Sequence, residues 1–272
     1  EIAGSKLAGM VADISRMRNR DIVIGCFRGG MRSTTLVSLL DSLGLRVYKL
    51  RGGYREYRQY IRRRVEALDI APALYVLHGL TGAGKTRILR KIANALDLEA
   101  MAGHRSSLFG ALGLSPNTQK MFESLLVERV DAVRELPYVV VEGESRKIGD
   151  IHIPRPLLER MARAPGVLVR APIERRVRNL LDEYPRDADP GRVRAIVRSL
   201  ENRTGPRVSR ELERLFERGE LEEFARLLLE KYYDPLYSYS LDRMTFVAEI
   251  ENADTDDAVR QLLGIVMPGE IF

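Results

Sequence analysis

The chain of 272 residues has a single cysteine, Cys26, which excludes an internal disulfide and points to a reducing compartment, the cytoplasm. No apolar run is long enough to cross a membrane, so no spanning helix and no membrane partner are expected. No secretory leader pattern stands at the start, and the chain opens on Glu1 rather than Met, which leaves room for a preceding segment. Internal repeats and low-complexity tracts are absent, so solenoid and linker-like architectures are excluded. Lysine is scarce: of 44 basic residues 7 are Lys and 37 are Arg. With a net charge of +6 and a pI near 9.5, that arginine excess suits phosphate and RNA contacts, although a coding bias would give the same composition. At 45% hydrophobic and 30% charged, the chain is globular and long enough for one large domain or two ordinary ones.

What is present is centred on Gly79-Leu80-Thr81-Gly82-Ala83-Gly84-Lys85-Thr86. An apolar run, residues 74–78, precedes it, and a helix-like run, Arg87 to Leu96, follows. Strand, glycine loop and helix in that order are the setting of a phosphate-binding P-loop. Gly79, Gly82 and Gly84 let backbone N–H groups turn inward around a phosphate, and the helix adds its positive end. Lys85 is expected to reach the outer phosphate, and the Thr86 hydroxyl to hold Mg²⁺. After the buried run 138–141 come Glu142 and Glu144, which share one side of an extended chain and are further candidates to order that metal. Neutralisation by Arg146 and Lys147 is the alternative. The polar loop 103–110 offers His104 and Arg105 to a diphosphate or a base.

A second motif, Cys26-Phe27-Arg28-Gly29-Gly30-Met31-Arg32-Ser33, lies between a short strand (21–25) and an apolar helix (34–43). There a thiolate is stabilised by a helix N-terminus and inward N–H groups, with Arg28 and Arg32 adding positive charge. Cys26 is therefore a candidate nucleophile. Residues 54–68 read as a basic helix, with Tyr54, Tyr57, Ile61, Val65 and Leu68 on one face. Arg55, Arg58 and Arg62 lie on the neighbouring face, where they could grip RNA, or the helix simply links two domains. Residues 190–231 read as charged helices whose arginines form an RNA-facing surface or a solvated layer. Residues 231–241 read as an aromatic-rich loop, 244–250 as a last strand and 256–263 as a last helix. Alternation of strands and helices gives an α/β class with a parallel sheet.

The cysteine loop resembles that of rhodanese-type sulfurtransferases; its Cys-x5-Arg-Ser also matches protein tyrosine phosphatases, which usually carry His where Gly25 stands. Only 25 residues precede Cys26, so the front of a rhodanese module is expected to be missing or supplied by a separate chain. The order of motifs, from Leu50-Arg51-Gly52-Gly53-Tyr54 through residues 79–86, 103–110 and 142–149 to Tyr232-Tyr233-Asp234-Pro235-Leu236-Tyr237, resembles the tRNA 2-selenouridine synthases over nearly the whole chain. The resemblance implies a partial rhodanese-like module, residues 1–68, followed by a P-loop NTPase-like domain, residues 72–272, with a helical insertion at about 190–231. It also implies a transferase acting on tRNA with 2-thiouridine at the wobble position, through a geranylated intermediate. Its substrates would be geranyl diphosphate and selenophosphate, the latter from a selenophosphate-supplying enzyme, with Cys26 handling selenium. Tyr232, Tyr233, Leu236 and Tyr237 are candidates for the geranyl tail. The competing readings are a P-loop kinase or NTPase with a fused sulfurtransferase loop, and an RNA-binding module with a vestigial one.

Overall fold

Short β-branched runs alternating with amphipathic helices give two α/β units in the computed structural model, residues 1–66 and 67–272. The structure describes residues 2–17, 19–183 and 189–268.

The first unit runs α1 (Ile2–Ser15), β1 (Ile22–Ile24), α2 (Met31–Ser42), β2 (Val47–Lys49) and α3 (Gly53–Glu66). The strands are parallel, with Ile22 opposite Val47, so α2 is the crossover that a parallel pair requires. Ile24, Leu36, Leu40 and Leu45 form its core, covered by Leu7, Val11 and Ile14 from α1. The ends of the helix expected over 1–18, residues 1 and 18, lie outside the described residues. Helix α2 starts at Met31 instead of Thr34, because Gly30 takes the N-cap position in an extended conformation. Arg32 and Ser33 thereby join its first turn.

Helix α3 corrects the reading of its arginine face. Arg55 and Arg62 are exposed, but Arg58 is only 8% exposed. Arg58, Ile61 and Val65 are spaced three and four residues apart, so Arg58 falls on the packed side of the helix. Tyr54, expected on the apolar face, is 41% exposed. Arg58→Ala should therefore destabilise the helix by roughly 1–3 kcal/mol, and Arg62→Ala by no more than about 0.5 kcal/mol. Hydrogen exchange across Gly53–Glu66 separates the two, and equal protection in both variants would refute a structural role for Arg58.

The second unit opens with β3 (Ala73–His78), α4 (Lys85–Arg90), β4 (Ala95–Leu96), α5 (Leu98–Ala102), α6 (Gln119–Ala132) and β5 (Tyr138–Glu142). A hairpin of β6 (Lys147–Ile148) and β7 (Ile151–His152) follows, then α7 (Arg155–Ala162), β8 (Gly166–Arg170) and α8 (Ile173–Glu183). Next come α9 (Pro190–Ser199), α10 (Glu201–Thr204), α11 (Pro206–Glu217), α12 (Leu221–Leu228), a π-helical turn (Leu229–Tyr233) and α13 (Asp234–Leu241). The last elements are β9 (Ala248–Glu251) and α14 (Thr255–Val266). The sheet has the order β4-β5-β3-β8-β9 and every pairing is parallel. Leu74, Val76, Val139 and Val141 face one apolar layer, and Leu77, Tyr138 and Val140 face the other, so β3 and β5 are apolar on both sides. The chain leaves β3 toward β4 on one side and later reaches β8 on the other. The C-terminal end of β3 therefore lies at a switch point, where open α/β sheets bind ligands.

Two expectations fail here. The helix expected over Arg87–Leu96 stops at Arg90, because Ala95 and Leu96 pair with Val140 and Val141 as the edge strand β4. The aromatic stretch 231–241 is helical, made of the π turn and α13. The helices α9 to α12 bury their own core, including Val197, Leu212, Leu215 and Leu228. The arginines at 192, 194, 198, 203, 207, 210 and 214 are all exposed, and three of them pair with Glu217, Glu213 and Glu211. No helix among the described residues is long and apolar enough to cross a membrane.

Candidate active site

The loop after β3 forms the floor of a cavity of about 840 Å³. Gly84 has φ 90°, and a Cβ there would come within 2.2 Å of the Asn252 amide nitrogen, so the turn into α4 accepts only glycine. Lys85 donates from Nζ to the carbonyl of Gly79 at 3.0 Å. Over the loop stand three carboxylates: Glu142 at the end of β5, Glu144 two residues on, and Glu99 from α5. One oxygen from each lies within 4.8 Å of the others. Burial, and then their mutual repulsion, hold all three above the usual carboxylate range, Glu144 at about 7. Lys85 offsets this for each, and Thr86 bonds Glu142. The Glu142 Oε1 is buried with no hydrogen-bond partner. His78 is held down at about 4, by burial and then by Lys85, and stays neutral. The lining also includes apolar side chains, Leu158, Met161, Ala162, Leu241 and Met244, together with Tyr237.

In the first unit, Cys26 sits between β1 and α2. Its Sγ is 3.3 Å from the Ser33 hydroxyl, whose single proton can go to the Gly30 carbonyl, 3.0 Å away, or to the sulfur once the thiol is ionised. The thiol is lowered to about 6, first by the Ser33 hydroxyl and then by the backbone N–H groups of Ser33, Gly30 and Arg28. Gly53 closes the loop from below. Its φ is 64°, and a Cβ there would sit 2.1 Å from the Cys26 carbonyl. The next two N–H groups, Tyr54 and Arg55, donate to the carbonyls of Cys26 and Phe27. The Gly52-Gly53-Tyr54 motif thus supports the cysteine loop.

Residues 72–196 match the family model described as the tRNA 2-selenouridine synthase AAA domain. The tRNA 2-selenouridine synthase of Aeromonas salmonicida is 32% identical over 91% of this chain and 75% of that protein. Those of Hydrogenovibrio crunogenus and Shewanella loihica are 30% and 31% identical, over 89% and 83% of this chain and 74% and 70% of theirs. The chain belongs to the tRNA 2-selenouridine synthase family.

Of the residues read from sequence in this synthase-family chain, Gly79, Gly82, Gly84, Lys85, Thr86, Arg105, Glu142 and Glu144 all line the one cavity. His104 does not. It packs behind the loop against Gly110 and Gly149, where added Cβ atoms would come within 2.5 and 2.9 Å of its ring. Arg105 reaches the cavity while donating to the Leu112 carbonyl at 2.9 Å. Arg146 and Lys147 are exposed, and the positive charge acting on Glu142 and Glu144 is that of Lys85. Arg28 and Arg32 are exposed beside the cysteine loop. Tyr233 is 2% exposed and Leu236 46%, so of the four residues offered for an apolar tail only Tyr237 lines the cavity. Sequence reading missed Glu99. It follows Asp97, which caps α5 by accepting from the Ala100 N–H, but that stretch carries no recognisable spacing.

The carboxylate group gives a stability prediction. Because these acids hold protons in the folded chain that the unfolded chain releases above about pH 4.5, folding is favoured below that pH. The advantage drains away as pH rises through about 7. In metal-free buffer, Glu142→Gln should flatten this fall and stabilise the chain at pH 8 by about 1–3 kcal/mol. Thermal unfolding from pH 5 to 8 checks it, and parallel curves for the two proteins would refute it.

Proposed function

We propose that this chain converts 2-thiouridine at the tRNA wobble position to 2-selenouridine through an S-geranylated intermediate, using geranyl diphosphate and selenophosphate. The observation that carries this reading is one cavity lined both by the phosphate loop and by a group of apolar side chains. Such a cavity suits an amphipathic diphosphate better than a free nucleotide. The loop N–H groups and Lys85 would take the diphosphate. Leu158, Met161, Leu241 and Met244 would take the apolar chain. In the first step the thiouridine sulfur displaces diphosphate from carbon, forming C–S, breaking C–O and releasing the N3 proton. In the second, selenium takes the place of geranylthiolate at C2, and phosphorus leaves selenophosphate as phosphate with an oxygen from water. The exchange is redox-neutral, and Cys26 as a thiolate would handle the selenium donor in a rhodanese-like loop.

The orphaned Glu142 oxygen makes Thr86, Glu99, Glu142 and Glu144 a suitable set of oxygen ligands for Mg²⁺. Such an ion would supply positive charge to a departing diphosphate. The tRNA would meet exposed arginines such as Arg55 and Arg62, and the site of action would be the cytoplasm. A selenophosphate-supplying enzyme would be the other partner.

Nucleosides from 2-thiouridine tRNA, incubated with the protein and geranyl diphosphate and then with selenophosphate, test this by mass spectrometry. Appearance of the geranylated and then the selenated nucleoside is the expected result. Unchanged tRNA from folded protein, together with nucleoside triphosphate turnover, would replace this reading with the kinase one.

A further inference from the structure

Three successive carbonyls of the phosphate loop each receive a buried side-chain donor. Arg176 Nε donates to Thr81 at 2.9 Å, Asn179 Nδ2 to Gly82 at 2.8 Å and Asn252 Nδ2 to Ala83 at 2.7 Å. Arg176 is 5% exposed, and both asparagines are fully buried. Arg176 is itself gripped at both ends of its fork by Asp234, with Nη1 donating to Oδ2 at 3.0 Å and Nη2 to Oδ1. Asp234 is the first residue of α13, directly after the π turn, which inserts an extra residue into the helix just ahead of it. One turn further along that helix, Tyr237 lines the cavity, followed by Ser240 and Leu241.

The peptide unit is planar and trans, so its C=O and N–H point to opposite sides. Holding the Thr81 carbonyl on one side turns the Gly82 N–H to the other, and holding the Ala83 carbonyl does the same for Gly84. Gly82 and Gly84 border the cavity. Free glycines sample many orientations, so donors aimed inward must be held there by something outside the loop. A planar guanidinium clamped by a carboxylate has its direction fixed, as a lone arginine does not.

We propose that Arg176 and Asp234 are a positioning pair that sets the phosphate loop for anion binding, with Asp234 acting through Arg176 and not by touching the ligand. This rests on the reading of the loop as a diphosphate site. It gives the Tyr232–Tyr237 motif a function other than lining an apolar groove: its aspartate ties the cavity-lining helix α13 to the loop.

The test uses inorganic pyrophosphate as the probe, with affinity from titration calorimetry and thermal midpoints measured on the same samples. Asp234→Asn should weaken binding about tenfold or more. Removing Asp234 leaves the buried Arg176 charge without its partner and destabilises the fold, so a second variant, Arg176→Met with Asp234→Leu, removes both charges. It should recover the thermal midpoint while binding stays at least tenfold weak, a split that a merely structural pair would not give. In an Arg176→Lys background, Asp234→Asn should add less than about a twofold loss, since residues acting through one another are not additive. Normal affinity in Asp234→Asn, recovery of affinity together with stability in the double apolar variant, or fully additive losses would each overturn the positioning role. Wild-type protein that binds no pyrophosphate would instead overturn the diphosphate reading beneath it.

Discussion

Lys85→Ala should abolish geranylation of 2-thiouridine tRNA, with a loss of at least about 10³-fold, and leave the protein folded. The size follows from the surroundings of Lys85. Its ammonium is the positive charge common to Glu99, Glu142 and Glu144, and it sits on the loop where a diphosphate would develop charge as it leaves. Removing a preorganised charge or donor that meets the developing charge costs roughly 3–4 kcal/mol of barrier, or 10²–10³ in rate. Lys85 supplies both charge and hydrogen bonding, so the upper end applies. The fold should survive because the three carboxylates are already held toward their protonated forms by burial. Losing Lys85 drives them further that way and leaves no bare charge behind. Lys85→Arg should not restore the reaction. The amides of Asn179 and Asn252 crowd the turn at Gly84, and the larger fork needs a different approach to the phosphate. Single-turnover geranylation followed by mass spectrometry gives the rate. Activity above one tenth of wild type in Lys85→Ala would rule out the phosphate loop as the diphosphate site. Selenation of tRNA supplied already geranylated should proceed in Lys85→Ala, which distinguishes a lost first step from a damaged protein.

What could be read in the sequence was what short-range spacing dictates. The run 79–86 defines its own turn chemistry, and the apolar runs at 74–77 and 138–141 declare strands buried on both faces. Ala95–Leu96 was not legible as a strand, since two residues carry no periodicity and only the neighbouring β5 recruits them to the sheet edge. Tyr232–Tyr237 looked loop-like because Asp-Pro is a turn signal, but Pro at the first turn of α13 costs no helical hydrogen bond. Arg58 was misplaced because a basic helix shows no break in charge where one arginine turns inward. The residues that brace the loop from a distance, Arg176, Asn179 and Asn252, lie 95 or more positions from the carbonyls they hold, farther than any motif spacing reaches. Glu99 belongs with them: its meeting with Glu142 depends on α5 being placed by the sheet.

Cys26→Ser should eliminate selenation, by about 10³-fold or more, and leave geranylation at the wild-type rate, because the proposed function assigns Cys26 to the second step alone. A serine hydroxyl is not ionised at any working pH, whereas the Cys26 thiol, lowered to about 6, is mostly thiolate at neutrality. The sign of the pH effect follows. Selenation should rise from pH 5 through about 6 and level off above 7, as the thiolate fills. Ser33→Ala removes the largest cause of the lowering, so its profile should shift upward, toward the ordinary thiol near 8.5–9. At pH 7 that leaves roughly a tenth or less of the wild-type thiolate, giving about a tenfold loss that should vanish near pH 9.5. A general structural defect would depress the rate at every pH, so recovery at high pH is the discriminating observation. It is measured by following the selenated nucleoside from pre-geranylated tRNA across the range. Selenation by Cys26→Ser above a tenth of wild type, or a Ser33→Ala profile that falls without shifting, would remove the thiolate from the mechanism. The Gly53 contact adds an independent check. A side chain at that position must displace the Cys26 carbonyl, so Gly53→Ala should suppress selenation in the same way as Cys26→Ser while sparing the first step.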